Sequence, residues 1–354
     1  MSPSYIDSYY SRTLASSEIY PPAQGQISVD ICIIGAGLAG LTAALELARS
    51  GRSVVVVEAE RVAWGASGRN GGFVTPGYAT SLSAIERKVG QQQSEELYRL
   101  SIDGMEIVRR NIGQLNIDEA QAAPGIIRVV RYDGGTALEA FRELQDNKFG
   151  RQLRFLPKEE TQAVLQSPKY HAALLDEGAF HFHPLNYGRA LAREIVRLGG
   201  KIFESSPIVS CDLHGARRRV STPDASIEAE HLLFTTGGYT GDIFPPLRRA
   251  FLPISTYVLL TEKAPDLIRS AIRTTAGVGD DRRASDYYRV VEGGSRLLWG
   301  GRITTRTTAP RDIAELLRRE MVTTYPQLAD LKVEIAWSGL MSYARHLMPQ
   351  IGQY

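Results

Sequence analysis

Residues Asp30 to Glu58 read D-I-C-I-I-G-A-G-L-A-G-L-T-A-A-L-E-L-A-R-S-G-R-S-V-V-V-V-E. The short apolar run Ile31–Ile34 suits a strand covered on both faces. Gly35 permits a tight turn, Gly37 lets backbone approach a pyrophosphate, and Gly40 lets a helix pack closely on the strand. That helix opens at Leu38 and Ala39, and its first N–H groups lack intrahelical partners, so they suit phosphate oxygens. Four valines then form a second strand. Glu58 ends it, 58 − 35 = 23 residues after the first glycine. An acid there accepts hydrogen bonds from a ribose 2′-OH and disfavours a 2′-phosphate, which argues against NADP. The stretch is a dinucleotide-binding βαβ unit. By itself it does not choose between NAD and FAD.

The surrounding chain has 354 residues, 43% hydrophobic and 23% charged, with a formal charge of +2. It is long enough for two domains, and its charge suggests neither nucleic acid nor an anionic membrane as partner. Its two cysteines, Cys32 and Cys211, make no disulfide framework, so a reducing, cytoplasmic setting is expected. Residues 1–28 lack the basic start and apolar core of a signal peptide. The segment Ile31–Ala48 has nearly the length of a membrane span, but it carries the motif glycines and Glu46, so no span is expected. His181 and His183 alternate along a strand and could form half a metal site. No third ligand is evident, and no metal is expected.

Working outward, residues 1–28 form a tyrosine-containing arm that either docks or stays disordered. Residues 61–77 are rich in glycine and small residues and read as a loop in close approach to something. Helical patterns run over Ala84–Leu115, Gly135–Asn147, Pro157–Leu165, Leu185–Leu198 and Arg311–Thr323. Strand patterns fall at Gly125–Tyr132, Lys201–Phe203, Pro207–Leu213, Ile254–Thr261, Tyr287–Val291, Leu297–Gly301 and Val333–Trp337. A βαβ start, a return to α/β and then antiparallel strands predict an α/β plus α+β chain. Its Rossmann-like cofactor domain would be discontinuous (29–90 and 184–253). An antiparallel-sheet substrate domain would comprise 91–183 and 254–345, with a truncated return at 346–354.

The block E-A-E-R-V-A-W-G-A-S-G-R-N-G-G at 58–72 decides between cofactors. Together with T-T-G-G at 235–238, D-Y-Y-R-V at 286–290, L-L-W-G-G-R at 297–302 and W-S-G-L at 337–340, it resembles the FAD-dependent oxidoreductases of the D-amino-acid oxidase superfamily. The nearest likeness is to the branch that oxidises gamma-glutamylputrescine. The resemblance covers nearly the whole chain and implies noncovalent FAD. On that basis the cofactor residues are Gly35, Gly37, Leu38, Ala39, Gly40, Glu58, Ala59, Arg61, Gly65, Ala66, Ser67, Gly68, Arg69, Asn70, Gly71 and Gly72, with Ile208, Thr236 and Gly237 further along. The glycines of the block remove side chains that would obstruct a flat flavin. Ser67 and Asn70 can donate to phosphate or ribityl oxygens, and Arg69 can face the pyrophosphate or an anionic part of the substrate.

In the strand Asp286–Val290, Tyr288 is taken to face the flavin, with the opposite register as the alternative. Tyr257, Trp299 and Trp337 are aromatic candidates around an amine. The candidate substrate-positioning residues are thus Tyr288, Tyr257 and Arg69. The expected reaction is oxidation of an amine C–N bond: hydride leaves for flavin N5, the imine hydrolyses to an aldehyde, and O2 or another acceptor reoxidises the flavin. The resemblance implies gamma-glutamylputrescine or a related polyamine derivative as substrate. Two alternatives stand beside it. One is a glycine, sarcosine or D-amino-acid type of oxidase, with Arg69, Arg289 or Arg302 pairing the carboxylate. The other is an incomplete flavin fold without activity, because relatives continue past the H-L-M-P-Q-I-G near Tyr354 with a closing strand, turn and helix.

Overall fold

The computed structural model describes residues 4–132, 134–282, 285–306 and 309–354. Two sheets organise it. The first has six strands in the order Lys201–Phe203, Val54–Val57, Gly25–Ile34, Ala225–Phe234, Arg218–Ser221, Ser210–Asp212. The first four are parallel and the last two antiparallel. All four residues of Val54–Val57 are buried. Such a strand carries no alternation because helices or loops cover both its faces. The helices Leu38–Arg49 and Pro184–Arg197 pack against one another beside this sheet.

The second sheet runs Val333–Tyr343, Leu252–Thr261, Arg296–Thr304, Tyr287–Val291, Gly277–Asp280, Ala123–Val130, Ala172–His181, Phe73–Val74, with Arg154–Leu156 also paired to Ala172–His181. It is antiparallel except where Gly277–Asp280 joins Ala123–Val130. One face is a dry core of Ile127, Val129, Tyr257, Leu259, Tyr288 and Trp299, covered by Leu317 and Met321 of the helix Pro310–Thr324. The other face looks toward the glycine-rich loop. The mixed α/β architecture is the expected one.

Several details differ from expectation. The strand Gly25–Ile34 begins inside the stretch assigned to the arm, and Phe73–Val74 belongs to the second sheet although it falls within 29–90. The helix expected over Ala84–Leu115 is two helices, Leu82–Val89 and Gln91–Gln114, because Gly90 between them has φ +85°. Of Pro207–Leu213 only Ser210–Asp212 is strand. The strand that carries His181 runs from Ala172 to His181 and leaves out His183, which caps the following helix.

The arm is docked. Residues 1–3 lie outside the described residues, but from Tyr5 onward it packs against the glycine-rich loop. Tyr9 and Tyr10 are buried in a short helix, Tyr9–Arg12, capped by Ser8. Tyr5 donates to the carbonyl of Val62 at 2.8 Å and Tyr10 to that of Asn70 at 2.6 Å. At the other end, Gln350 donates to the carbonyl of Ala250 at 3.0 Å and the Tyr354 ring meets Phe244. The last residues therefore run back toward the first sheet, where Phe244 stacks on Phe234.

Candidate active site

The glycine turn is built by contact. Gly35 has φ +104°, in the left-handed region that favours glycine, and its N–H donates to the carbonyl of Val57 at 2.8 Å. A Cβ on Gly40 would lie 2.1 Å from the Gly35 carbonyl oxygen, so the helix Leu38–Arg49 sits directly on the turn. Gly37 offers that helix no side-chain cap. The hydroxyl of Ser67 comes across instead and accepts the Leu38 N–H at 2.8 Å. Glu58 folds into the turn, accepting the N–H of Ala36 at 2.8 Å and of Glu60 at 3.0 Å. Burial pushes its carboxyl pKa up, against the pull of those backbone donors. A carboxylate has about four acceptor positions, so lone pairs remain for hydroxyls.

The loop from Gly65 to Gly72 holds its shape from within. The Asn70 amide donates to the carbonyls of Ala66 and Ser67 and accepts the N–H of Gly72 at 2.8 Å. Its donors are thus spent on the loop. Gly72 has φ +76°, and a Cβ there would be 2.3 Å from the Phe182 carbonyl oxygen. Arg69 donates to the carbonyls of Trp64 at 2.7 Å and Ser338 at 3.3 Å, and lies over the Trp64 ring at 4.0 Å. Burial lowers its pKa. Its Nη2 is buried without a hydrogen-bond partner, and the side chain lines a large cavity. An orphaned cationic donor, a glycine cradle and a helix N-terminus fit an anionic dinucleotide with a flat ring.

The remaining residues expected at the cofactor lie around the first sheet and at its junction with the second. Arg61 is buried and donates to Glu204 at 2.8 Å and to the carbonyl of Glu18 at 2.9 Å, so it ties the arm to the first sheet. Ile208 is packed in the core of that sheet beside Val29 and Val220. Ala59 is exposed. Thr236 shares a hydrogen bond with Thr240, and Gly237 (φ +54°) lies against Ser342, where the two sheets meet.

Beneath the loop, Arg289 donates to the carbonyls of Gly71 at 2.9 Å and Phe182 at 3.0 Å and to the Tyr10 hydroxyl at 3.1 Å, and meets Nδ1 of His181 at 3.2 Å. No carboxylate among the described residues pairs with it. His183 caps the helix Pro184–Arg197: its Nδ1 accepts the Asn186 N–H at 3.1 Å while Nε2 lies 3.0 Å from the Thr13 hydroxyl. Burial, with the charge of Arg289, pulls His181 down to about 4 and His183 down to about 3. The unfolded chain therefore binds more protons below about pH 6.5, and stability falls as pH drops from there toward the folded values. His183→Asn keeps a capping acceptor but removes one titration. Its thermal midpoint is expected to fall less steeply than that of the natural protein between about pH 6.5 and 4; parallel slopes in a melting series would contradict this.

The cavity, about 1280 Å³, lies between the glycine-rich loop, the helix Gln91–Gln114 and the open face of the second sheet. Tyr287 faces it and Tyr288 does not. Tyr288 stacks on Trp299 in the opposite core, with ring centroids 4.2 Å apart and planes at 3°, and shares hydrogen bonds with Tyr170 and Tyr325. Tyr257 is buried in the same core. Both candidate tyrosines therefore stand on the face away from the cavity. Trp299 packs in that core too, whereas Trp337 supports the loop by donating to the carbonyl of Arg69 at 2.8 Å. The neighbouring strand Arg296–Thr304 sets this phase. Tyr287 pairs across with Gly300, where a Cβ would strike its ring at 2.1 Å, whereas Tyr288 pairs with Trp299. Burial also raises the Tyr287 pKa, so it stays a neutral phenol. Arg302 pairs with Glu320 at 2.9 Å. Of the three arginines considered for a substrate carboxylate, only Arg69 lines the cavity.

No cluster of three or more His, Cys, Asp or Glu among the described residues is arranged to hold a metal ion, and no helix is long and apolar enough to cross a membrane. The family model described as FAD dependent oxidoreductase, DAO, matches residues 30–354. Gamma-glutamylputrescine oxidoreductase of Escherichia coli strain K12 is 32% identical over 99% of this chain and 82% of its own length. A probable oxidoreductase of Haemophilus influenzae, OrdL, is 29% identical over 99% of this chain and 81% of its own. The crystal structure of glycine oxidase from Geobacillus kaustophilus superposes with a TM-score of 0.74 at 17% identity, covering 93% of this chain and 86% of that one, a likeness of fold. The chain that carries this glycine cradle belongs to the DAO family of FAD-dependent oxidoreductases.

Proposed function

We propose that the protein oxidises the C–N bond of an amine in gamma-glutamylputrescine or a related polyamine derivative, using noncovalently held FAD. The observation that carries this reading is the likeness along 99% of the chain to a gamma-glutamylputrescine oxidoreductase. FAD, when bound, supplies the two-electron acceptor for the hydride of the carbon bearing nitrogen.

The chain's own residues supply the rest. Gly35–Gly40 and Ser67 would hold the pyrophosphate, Glu58 a ribose hydroxyl, and Arg69 an anionic oxygen through its free Nη2. Phe73, Tyr287 and Met341 give the cavity wall an apolar stretch near the glycine loop. Such a wall disfavours an ammonium and so favours the neutral amine, the form that can release hydride. The imine formed is hydrolysed to an aldehyde, with O2 or another acceptor regenerating the oxidised protein. We place the reaction in the cytoplasm, in keeping with two free cysteines.

Anaerobic mixing of the FAD-loaded protein with a panel of amines tests the reading. Gamma-glutamylputrescine is expected to bleach the visible flavin bands within seconds, and sarcosine, glycine and D-amino acids to leave them nearly unchanged. Bleaching by the amino acids alone would overturn the proposed substrate.

A further inference from the structure

One row of residues runs across the floor of the cavity. In the strand register Gly300 pairs with Tyr287, Tyr287 with Gly279, Gly279 with Arg128, and Arg128 with Leu174. Neighbouring strands stand about 4.8 Å apart, so Tyr287 and Arg128 are separated by two spacings, roughly 10 Å. Between them Gly279 has no side chain, and a Cβ there would meet nothing within 4 Å. The row is therefore a trough, with the apolar aromatic end near the glycine loop and a charged end at Arg128.

At the charged end Arg128 is exposed toward the cavity and Asp176 is held in place by its neighbours. Arg128 pairs with no carboxylate among the described residues; its guanidinium lies 5.4 Å from the centre of the Phe141 ring. Asp176 pairs with Ile126, so it stands diagonally across from Arg128 on the same face, about 7–8 Å away along the backbone. Both side chains line the cavity. Asp176 is fixed on both sides: Oδ1 accepts the N–H groups of Gly178 and Ala179 at 3.1 Å each, and Oδ2 meets Arg151. Arg151 in turn donates to Gln145, as does the Tyr98 hydroxyl at 2.9 Å. The side chains of Arg151 and Asp176 are only 12% and 17% exposed, so this is not a solvated surface pair.

We infer that Arg128 and Asp176 form a subsite for a zwitterionic α-amino-acid head, Arg128 taking its carboxylate and Asp176 its ammonium, with the Gly279 trough carrying the chain between that head and the reacting amine. This rests on the amine-oxidising reading for the opposite end of the substrate. The reach agrees: the reacting carbon of γ-glutamylputrescine is about eight bonds from the α-carbon of its head, the length of rather less than three extended residues, or roughly 9–10 Å. A carboxylate met by a planar guanidinium gains a bidentate, charge-assisted contact that an uncharged acyl group does not. The subsite would therefore select γ-glutamyl conjugates over acetylated or free diamines.

The test uses the FAD-loaded protein and two readouts. The first is calorimetric binding of γ-glutamylbutylamide, which has the head and spacer but no reacting amine. The second is the ratio of kcat/KM for gamma-glutamylputrescine to that for N-acetylputrescine. Arg128→Ala is expected to weaken binding of the amide, and to reduce that ratio, by roughly 10- to 100-fold, with Arg128→Lys in between. Gly279→Leu, which adds a side chain into open space, is expected to obstruct the amide as well. Unchanged binding in Arg128→Ala, no binding to the natural protein, or an unchanged ratio would each overturn the subsite. Arg128-dependent binding of the amide with no flavin bleaching by any amine would sustain the subsite and sink the proposed reaction instead.

Discussion

Glu204→Gln is expected to lower the free energy of unfolding by about 3–5 kcal/mol, the usual cost of removing one partner from a buried ion pair. Glu204 is fully buried. Its carboxylate accepts from Arg61 at 2.8 Å, from the Val62 N–H at 2.7 Å and from the Tyr20 N–H at 3.1 Å, with Arg189 at 3.7 Å. Glutamine keeps the shape but turns an NH2 toward donors and leaves two buried guanidiniums without an anion. Both arginines also hold the carbonyl of Glu18. The arm should therefore loosen, and limited proteolysis should cut between about residues 13 and 24 at a denaturant concentration that spares the natural protein. A urea midpoint unchanged from the natural protein would show that the guanidiniums are stabilised by something other than Glu204.

Gly40→Ala is expected to strip the cofactor. The added methyl would lie 2.1 Å from the Gly35 carbonyl oxygen, 2.6 Å from Thr235 Oγ1 and 3.2 Å from Ile33 Cγ2. Thr235 can rotate, but the carbonyl belongs to the turn itself. The helix must lift, and overpacking of this kind costs about 1–3 kcal/mol. If that strain is borne by the turn that would cradle the pyrophosphate, FAD affinity falls by roughly 10- to 100-fold. The flavin-to-protein ratio after gel filtration reads the effect. Gly37→Ala should lose flavin as well, since its methyl would lie 2.9 Å from Ser67 Oγ, the hydroxyl that accepts the Leu38 N–H. Equal flavin content in Gly40→Ala and the natural protein would show that the helix can shift freely.

Local pattern was legible where one force dominates. Lys201–Phe203 and Tyr287–Val291 are bounded in the structure as their residues suggest, and the helix Pro310–Thr324 departs by one residue at each end from the expected span. The acid at Glu58 and the glycine turn are adjacent because strand, turn and helix are contiguous in sequence. What lay hidden depends on partners distant in the chain. Alternation shows that Tyr287 and Tyr288 face opposite ways but not which face meets the cavity; Trp299 across the ladder decides that. Arg61 sits among cofactor residues by sequence, yet Glu204, 143 residues away, captures it. Arg128 and Asp176 carry no signal in the sequence because a single charge on a half-buried strand has meaning only once the facing strand is known.

The pairing of Ile34 with Phe234 sets a schedule for synthesis. The central pair of the first sheet joins residues 234 − 34 = 200 positions apart. Ribosomes add about 5–20 residues per second, so the strand Gly25–Ile34 waits roughly 10–40 s for its parallel neighbour to emerge. Throughout that interval it has only Val54–Val57 beside it, on its other side. The nascent chain thus carries an open, aggregation-prone strand edge through that interval, a natural point of engagement for a chaperone.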